Sequence, residues 1–289
     1  QDECVAITRP RVEDKEEAFP PVLARGEDGR QRLGDLVVEV LVGGRKPGHQ
    51  SLSRESVGGP YSSRGARSAK ENGNNPEGSG RMSHMKVTRL FLTRHGQTVT
   101  NTEGRFCGHS ETDLTAKGED QARALGKRLA KEKFEAIYTS DFSRAIRTAA
   151  FIAGNRELTP RAEPALRELH YGEWELEKGG DVARKWRTQY RLMRHEDPSW
   201  RPPGGETVAE VRARTRQAFD HIVEAHTGKR VLVVSHGTAL NCLISTLLEM
   251  PETHVFRIDI ANCGLTEVEV REGRPYVVRL NDTAHLAGI

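Results

Sequence analysis

Two stretches far apart in the chain end an apolar run with the same pair of residues. Leu90-Phe91-Leu92-Thr93 runs into Arg94-His95-Gly96, and Val231-Leu232-Val233-Val234 runs into Ser235-His236-Gly237-Thr238. A neutral imidazole is a nucleophile able to split one difficult displacement into two easier ones. A guanidinium beside it offers a planar fork of donors to an oxyanion. Ser140-Asp141-Phe142-Ser143-Arg144 supplies a second guanidinium past another short apolar segment. Glu168 stands between Leu166 and Leu169, where partial burial would favour a carboxyl able to carry a proton. Two imidazoles, two guanidiniums and a proton donor suit attack on a phosphomonoester, which needs a nucleophile, charge neutralisation and a proton for the leaving oxygen. The plainer alternatives are a hydrogen-bonded core histidine at position 95, a surface ion pair at Glu168 and an ordinary helix-start charge at Arg144.

Those side chains need strand ends to display them. Residues 87–92 read as a strand buried on both faces, and the strand at Val231 feeds an apolar helix over 240–248. Between them the pattern predicts a glycine-containing loop over 101–113 and a helix over 116–131 capped by Thr115. A strand follows at 136–140, then a helix capped by Asp141 with Phe142, Ala145, Ile146 and Ala149 inward, and another opened by Thr207. Strands are expected at 255–260, 265–270 and 276–280, the last two joined at Glu272-Gly273. Strands alternating with helices predict an α/β fold, a three-layer α/β/α sandwich around a mainly parallel sheet. Ligands of such sheets bind beyond the carboxyl ends of the strands, so the two histidines would face one site.

The rest of the composition narrows the field. In 289 residues, 44 basic side chains stand against 41 acidic ones, and a formal charge of +3 makes no case for nucleic-acid or membrane binding. Cys4, Cys107, Cys242 and Cys263 are widely spaced, which reads as reduced thiols and a cytoplasmic setting. Residues 1–85 are rich in Gly, Pro and polar residues, with one candidate strand at 36–42, and read as a disordered leader or linker before a catalytic domain over 86–289.

Arg94-His95-Gly96, the Ser-Asp-x-x-Arg-Ala run ending at Ala145, Leu166-x-Glu168 followed by Gly172-x-Trp174-Glu175, and Ser235-His236-Gly237 together resemble the histidine phosphatase, or phosphoglycerate mutase-like, superfamily. Residues 104–110, 203–207 and 280–286 look most like its α-ribazole and broad-specificity phosphatases. The resemblance implies that His95 becomes phosphohistidine, that Arg94, Arg144 and His236 hold the phosphoryl group, and that Glu168 protonates the leaving oxygen. It implies further substrate contacts from Gln97, Thr98, Asn101, Cys107, Gly108, Gly237 and Thr238. It implies no metal and no cofactor, in keeping with a sequence that has neither His-Glu-x-x-His nor a phosphate-binding Walker loop.

Departures from the mutases favour the phosphatase side: Cys107 stands where they commonly carry Thr, and Thr238 where an Asn follows the second His-Gly. His170-Tyr171-Gly172 is mutase-like, and Leu176 replaces the glycine usual after Trp-Glu. The expected function is metal-independent phosphomonoester hydrolysis of a small phosphorylated metabolite, with α-ribazole 5′-phosphate as first candidate and a homodimer as one admissible assembly. The alternatives are a 2,3-bisphosphoglycerate-dependent mutase and a non-catalytic phospho-ligand binding module. The segment 184–201 carries Trp186, Tyr190 and Trp200, which would either pack beneath a solvated helix or form an aromatic lid.

Overall fold

A computed structural model describes residues 86–289. The expectations for residues 1–85, including the strand at 36–42, lie outside the described residues. In chain order the elements are β1 (Thr88–Arg94), α1 (Val99–Thr102), α2 (Ala116–Arg128), β2 (Ala136–Thr139), α3 (Ser143–Ala153), β3 (Arg161–Ala162), α4 (Gly179–Lys185), α5 (Arg187–Arg194), α6 (Val208–Ala225), β4 (Arg230–Ser235), α7 (Gly237–Leu247), β5 (Leu265–Arg271) and β6 (Arg274–Asp282). The strands form one sheet in the order β3-β2-β4-β1-β5-β6. β1, β2, β3 and β4 run parallel, and only β5 opposes its neighbours β1 and β6.

The apolar runs of β1 and β4 are continuous because each face of the sheet is covered. Leu90, Leu92, Val231 and Val233 pack against Phe219 and Ile222 of α6 and Leu240, Leu243 and Ile244 of α7. The intervening residues Phe91, Leu232 and Val234 meet Ala122, Leu125 and Leu129 of α2 and Ala145, Ala149 and Ile152 of α3. Strand alternation therefore distributes one uninterrupted hydrophobic stretch between two cores. A third cluster, built on Trp174, Trp200, Val182 and Val255, underlies the loops near α4 and α5. No helix of the described residues is long and apolar enough to cross a membrane.

Four local expectations are corrected. Residues 255–260 are not a strand: Glu252–Arg257 is a 3-10 helix that follows Pro251 and buries Val255. Its apolar residues answer to the third cluster rather than to a sheet ladder. Asp141 does not cap α3. The N-cap is Phe142, without a side-chain cap, while the Asp141 carboxylate takes both Nε and Nη2 of Arg167. Ile146 faces outward at 41% exposure. The helix expected from Leu240 begins at Gly237, immediately after the second histidine.

Candidate active site

The two histidines meet because their strands are neighbours in register. Arg94 pairs with Ser235 across β1 and β4, so His95 and His236 are each the first residue beyond the ladder. The His95 N–H still donates to the Ser235 carbonyl at 3.0 Å. The imidazoles lie edge to face with centroids 5.1 Å apart, and both rings are buried.

Their tautomers follow from their partners. His95 Nδ1 lies 2.8 Å from the Gly96 carbonyl, which can only accept, so Nδ1 carries the hydrogen and Nε2 keeps its lone pair. His236 Nδ1 accepts from Arg144 Nε at 3.3 Å, which puts its hydrogen on Nε2. That Nε2 is buried and has no partner among the described residues, and the same holds for Arg94 Nε. Burial, reinforced by Arg94 and Arg144, holds His95 well below the usual imidazole range; burial and the same two guanidiniums together with His95 do likewise for His236. The site thus presents a neutral imidazole nitrogen beside two N–H donors that lack acceptors.

Arg144 is buried and spends each of its nitrogens on the fold. Nη1 donates to Ser110 O at 2.9 Å and Nη2 to Gly108 O at 2.6 Å, while Nε holds His236. A guanidinium has five N–H groups, so one on each Nη remains for an oxyanion. Gly108 sits at φ +53°, and a Cβ there would lie 2.2 Å from the Glu175 carboxylate, so this turn needs glycine. Arg94 donates Nη1 to the Ile260 carbonyl at 2.9 Å.

Glu168 is not isolated among apolar neighbours. Its carboxylate accepts from the backbone N–H groups of Leu169 (2.8 Å), Thr238 (3.2 Å) and Ala239 (3.0 Å), the last two at the start of α7. The loop carrying it is held from behind. Arg214 of α6 donates to the carbonyls of Ala165, Arg167 and Glu168 and pairs with both oxygens of Glu206. His109 Nε2 also donates to the Glu168 carbonyl, at 2.9 Å.

A cavity of about 230 Å³ opens at this point. Of the candidates, Arg94, His95, Asn101, Cys107, Gly108, Arg144, Glu168, Gly237 and Thr238 line it. His236 lies against His95 and Arg144. Gln97 and Thr98 do not line it. The Gln97 side chain accepts from Thr115 Oγ1 at the start of α2, and Thr98 is the fully buried N-cap of α1. The Cys107 thiol donates to the Ser110 carbonyl, and burial raises it above the usual thiol range. Neither Trp186 nor Trp200 lines the cavity; Trp200 is buried against Trp174 and Phe256, so these aromatics pack beneath the surface rather than over the site.

Sequence reasoning missed Asn241 and Asp259 on the cavity wall. Asn241 lies three residues beyond Thr238 on α7, so helical spacing from an already named residue was the available signal. Asp259, in an irregular segment, carries no such signal. Leu176 sits at φ +62°, so the chain keeps the glycine-like turn that the family pattern calls for, with a bulky residue in it.

The histidine phosphatase superfamily (branch 1) model matches residues 90–283. The chain belongs to the histidine phosphatase superfamily. It is 38% identical over 209 residues to the probable phosphoglycerate mutase GpmB of Yersinia enterocolitica, covering 69% of this chain and 95% of that one. Among solved structures it resembles Bacillus stearothermophilus YhfR with a TM-score of 0.67 at 33% identity, over 69% of this chain and 99% of the other. It also resembles the α-ribazole phosphatase of Shigella flexneri, with a TM-score of 0.63 at 28% identity over 67% and 96% of the two chains.

Proposed function

We propose that this superfamily member is a metal-independent phosphomonoester hydrolase that works through a phosphohistidine on His95. The observation that carries the reading is the neutral His95 Nε2 beside the unpartnered N–H groups of Arg94 Nε and His236 Nε2. A phosphoryl group entering the cavity satisfies both donors and takes further N–H groups from Arg144. His95 Nε2 then attacks phosphorus, and the P–O bond to the leaving alcohol breaks. Glu168, entering this step in its protonated form, delivers that proton to the departing oxygen and, in the second step, regains one from the water that hydrolyses the P–N bond. The charge building on the equatorial oxygens meets fixed donors in a buried site, where such donors act most strongly.

α-Ribazole 5′-phosphate is the first specific substrate to try, supported by the resemblance to the Shigella phosphatase. The name printed for the Yersinia relative favours a second reading, a phosphoglycerate mutase. Phosphate release and phosphoglycerate isomerisation are therefore assayed together, with chelator present, on wild type and His95→Ala. Phosphate release that survives chelator and falls by about 10⁴-fold or more in His95→Ala supports the hydrolase. Isomerisation that outpaces phosphate release in the presence of 2,3-bisphosphoglycerate replaces it with the mutase.

A further inference from the structure

The cavity wall also carries acceptors that the phosphoryl reading does not use. Asn241 is 92% buried, lying at 8% exposure, and lines the cavity. Its Nδ2 donates to the Ile258 carbonyl at 2.7 Å, an atom that can only accept. The orientation of the amide is therefore determined, and Oδ1 is left buried with no partner among the described residues. A buried acceptor without a donor is costly, and a bound molecule that supplies the donor recovers that cost. Asp259 lines the same cavity and lies close enough to Arg94 for the two charges to interact. The additional cation on the wall, Arg105, has its charge offset by an acidic partner, while its Nη2 has no partner among the described residues. Its Nε pairs with Glu103 at 2.5 Å, and its Nη1 donates to the Leu176 carbonyl at 2.7 Å. The Tyr171 hydroxyl is shared with Thr238 Oγ1 at 2.8 Å.

From this arrangement we infer that Asn241 and Asp259 select the leaving group: the site takes phosphomonoesters of alcohols bearing a hydroxyl or ammonium group and turns away those bearing a second anion. The inference rests on the phosphomonoesterase reading. A donor on the leaving group satisfies Asn241 Oδ1 and is attracted by the Asp259 carboxylate, whereas a carboxylate or second phosphate meets one acceptor and one like charge. Sites that pair a substrate hydroxyl with a buried polar group discriminate strongly against analogues that lack it.

The test uses glycerol 1-phosphate, propyl phosphate and 3-phosphoglycerate on the full chain at low salt. Wild type is expected to prefer glycerol 1-phosphate over propyl phosphate in kcat/KM, and Asn241→Leu to lower that ratio about tenfold or more. Asp259→Asn, at an exposed position that tolerates the change, is expected to raise the 3-phosphoglycerate to glycerol 1-phosphate ratio about three- to tenfold, with the gain shrinking in salt. Ratios within about twofold of wild type in both variants, with hydrolysis still dependent on His95, overturn the inference and leave the phosphatase reading standing. Hydrolysis of none of the three by the wild-type chain overturns the phosphatase reading, and the inference with it.

Discussion

Replacing Arg214 with Leu separates positioning from chemistry at this site. The guanidinium makes five hydrogen bonds, three to the carbonyls of Ala165, Arg167 and Glu168 at 2.7–2.9 Å and two to Glu206 at 2.9 Å. The two side chains are 19% and 23% exposed, so solvent relieves only part of the loss. Removing one partner of a buried, hydrogen-bonded charge pair costs about 3–5 kcal/mol, and the partial exposure puts this case near about 3 kcal/mol. For a domain of this size that is a fall in Tm of about 6–12 °C. Arg214 lies outside the cavity lining, so it acts on turnover indirectly, through the Glu168 loop that it holds and through its charge on His236. A general acid matters most when the leaving oxygen is a poor leaving group. The kcat/KM of Arg214→Leu on an alkyl phosphate is therefore expected to fall about 100-fold, while that on para-nitrophenyl phosphate falls less than about tenfold. Arg214→Lys keeps the charge without the fork and should lie between. Equal losses on the two substrates would refute the reasoning, since a merely loosened fold has no reason to distinguish leaving groups.

Two further outcomes follow from residues described above. His95 and His236 are both held neutral, below the usual imidazole value, so between that value and their folded values the unfolded chain binds protons that the folded chain does not. Stability is then fully present above about pH 6.5 and drops as pH falls below it, by up to about 1.4 kcal/mol per pH unit for each histidine; urea midpoints from pH 7.5 to 5 measure this, and His95→Gln should reduce the slope by about one proton. Leu176 occupies a left-handed backbone position while its side chain is 46% exposed, so Leu176→Gly relieves about 1–2 kcal/mol of strain against about 0.5–1 kcal/mol of added chain entropy. A stabilisation of up to about 1 kcal/mol in urea unfolding is expected, and a destabilised variant would show that the turn is not strained.

The parts of the site legible in the sequence are those that strands display. An apolar run that stops at His-Gly announces a buried strand and a sharp exit, and both His95 and His236 fall one residue past β1 and β4. Arg144 and Glu168 were likewise readable from their short motifs, and both line the cavity. Gln97 and Thr98 look like ligand donors in sequence because they are polar and stand beside His95, but neither lines the cavity and their side chains serve the starts of α1 and α2. Residues 255–260 alternate apolar and polar side chains well enough to resemble a strand, but a 3-10 turn lets Val255 reach the cluster around Trp200 instead. Asp259 is invisible in one dimension because only the packing of that irregular segment brings it beside Arg94. Local pattern encodes which elements form; their meeting at the cavity depends on tertiary packing that no short window contains.

The separation of the two imidazoles belongs to the sheet and to no loop. Adjacent strands lie about 4.8 Å apart, and the ring centroids of His95 and His236 stand 5.1 Å apart. Insertions or sequence drift in the surrounding segments can therefore reshape what is accepted beside the phosphoryl group while the interval between these rings stays fixed. Under the proposed function, a lineage built on this scaffold is free to explore new leaving groups without altering the spacing of the two rings.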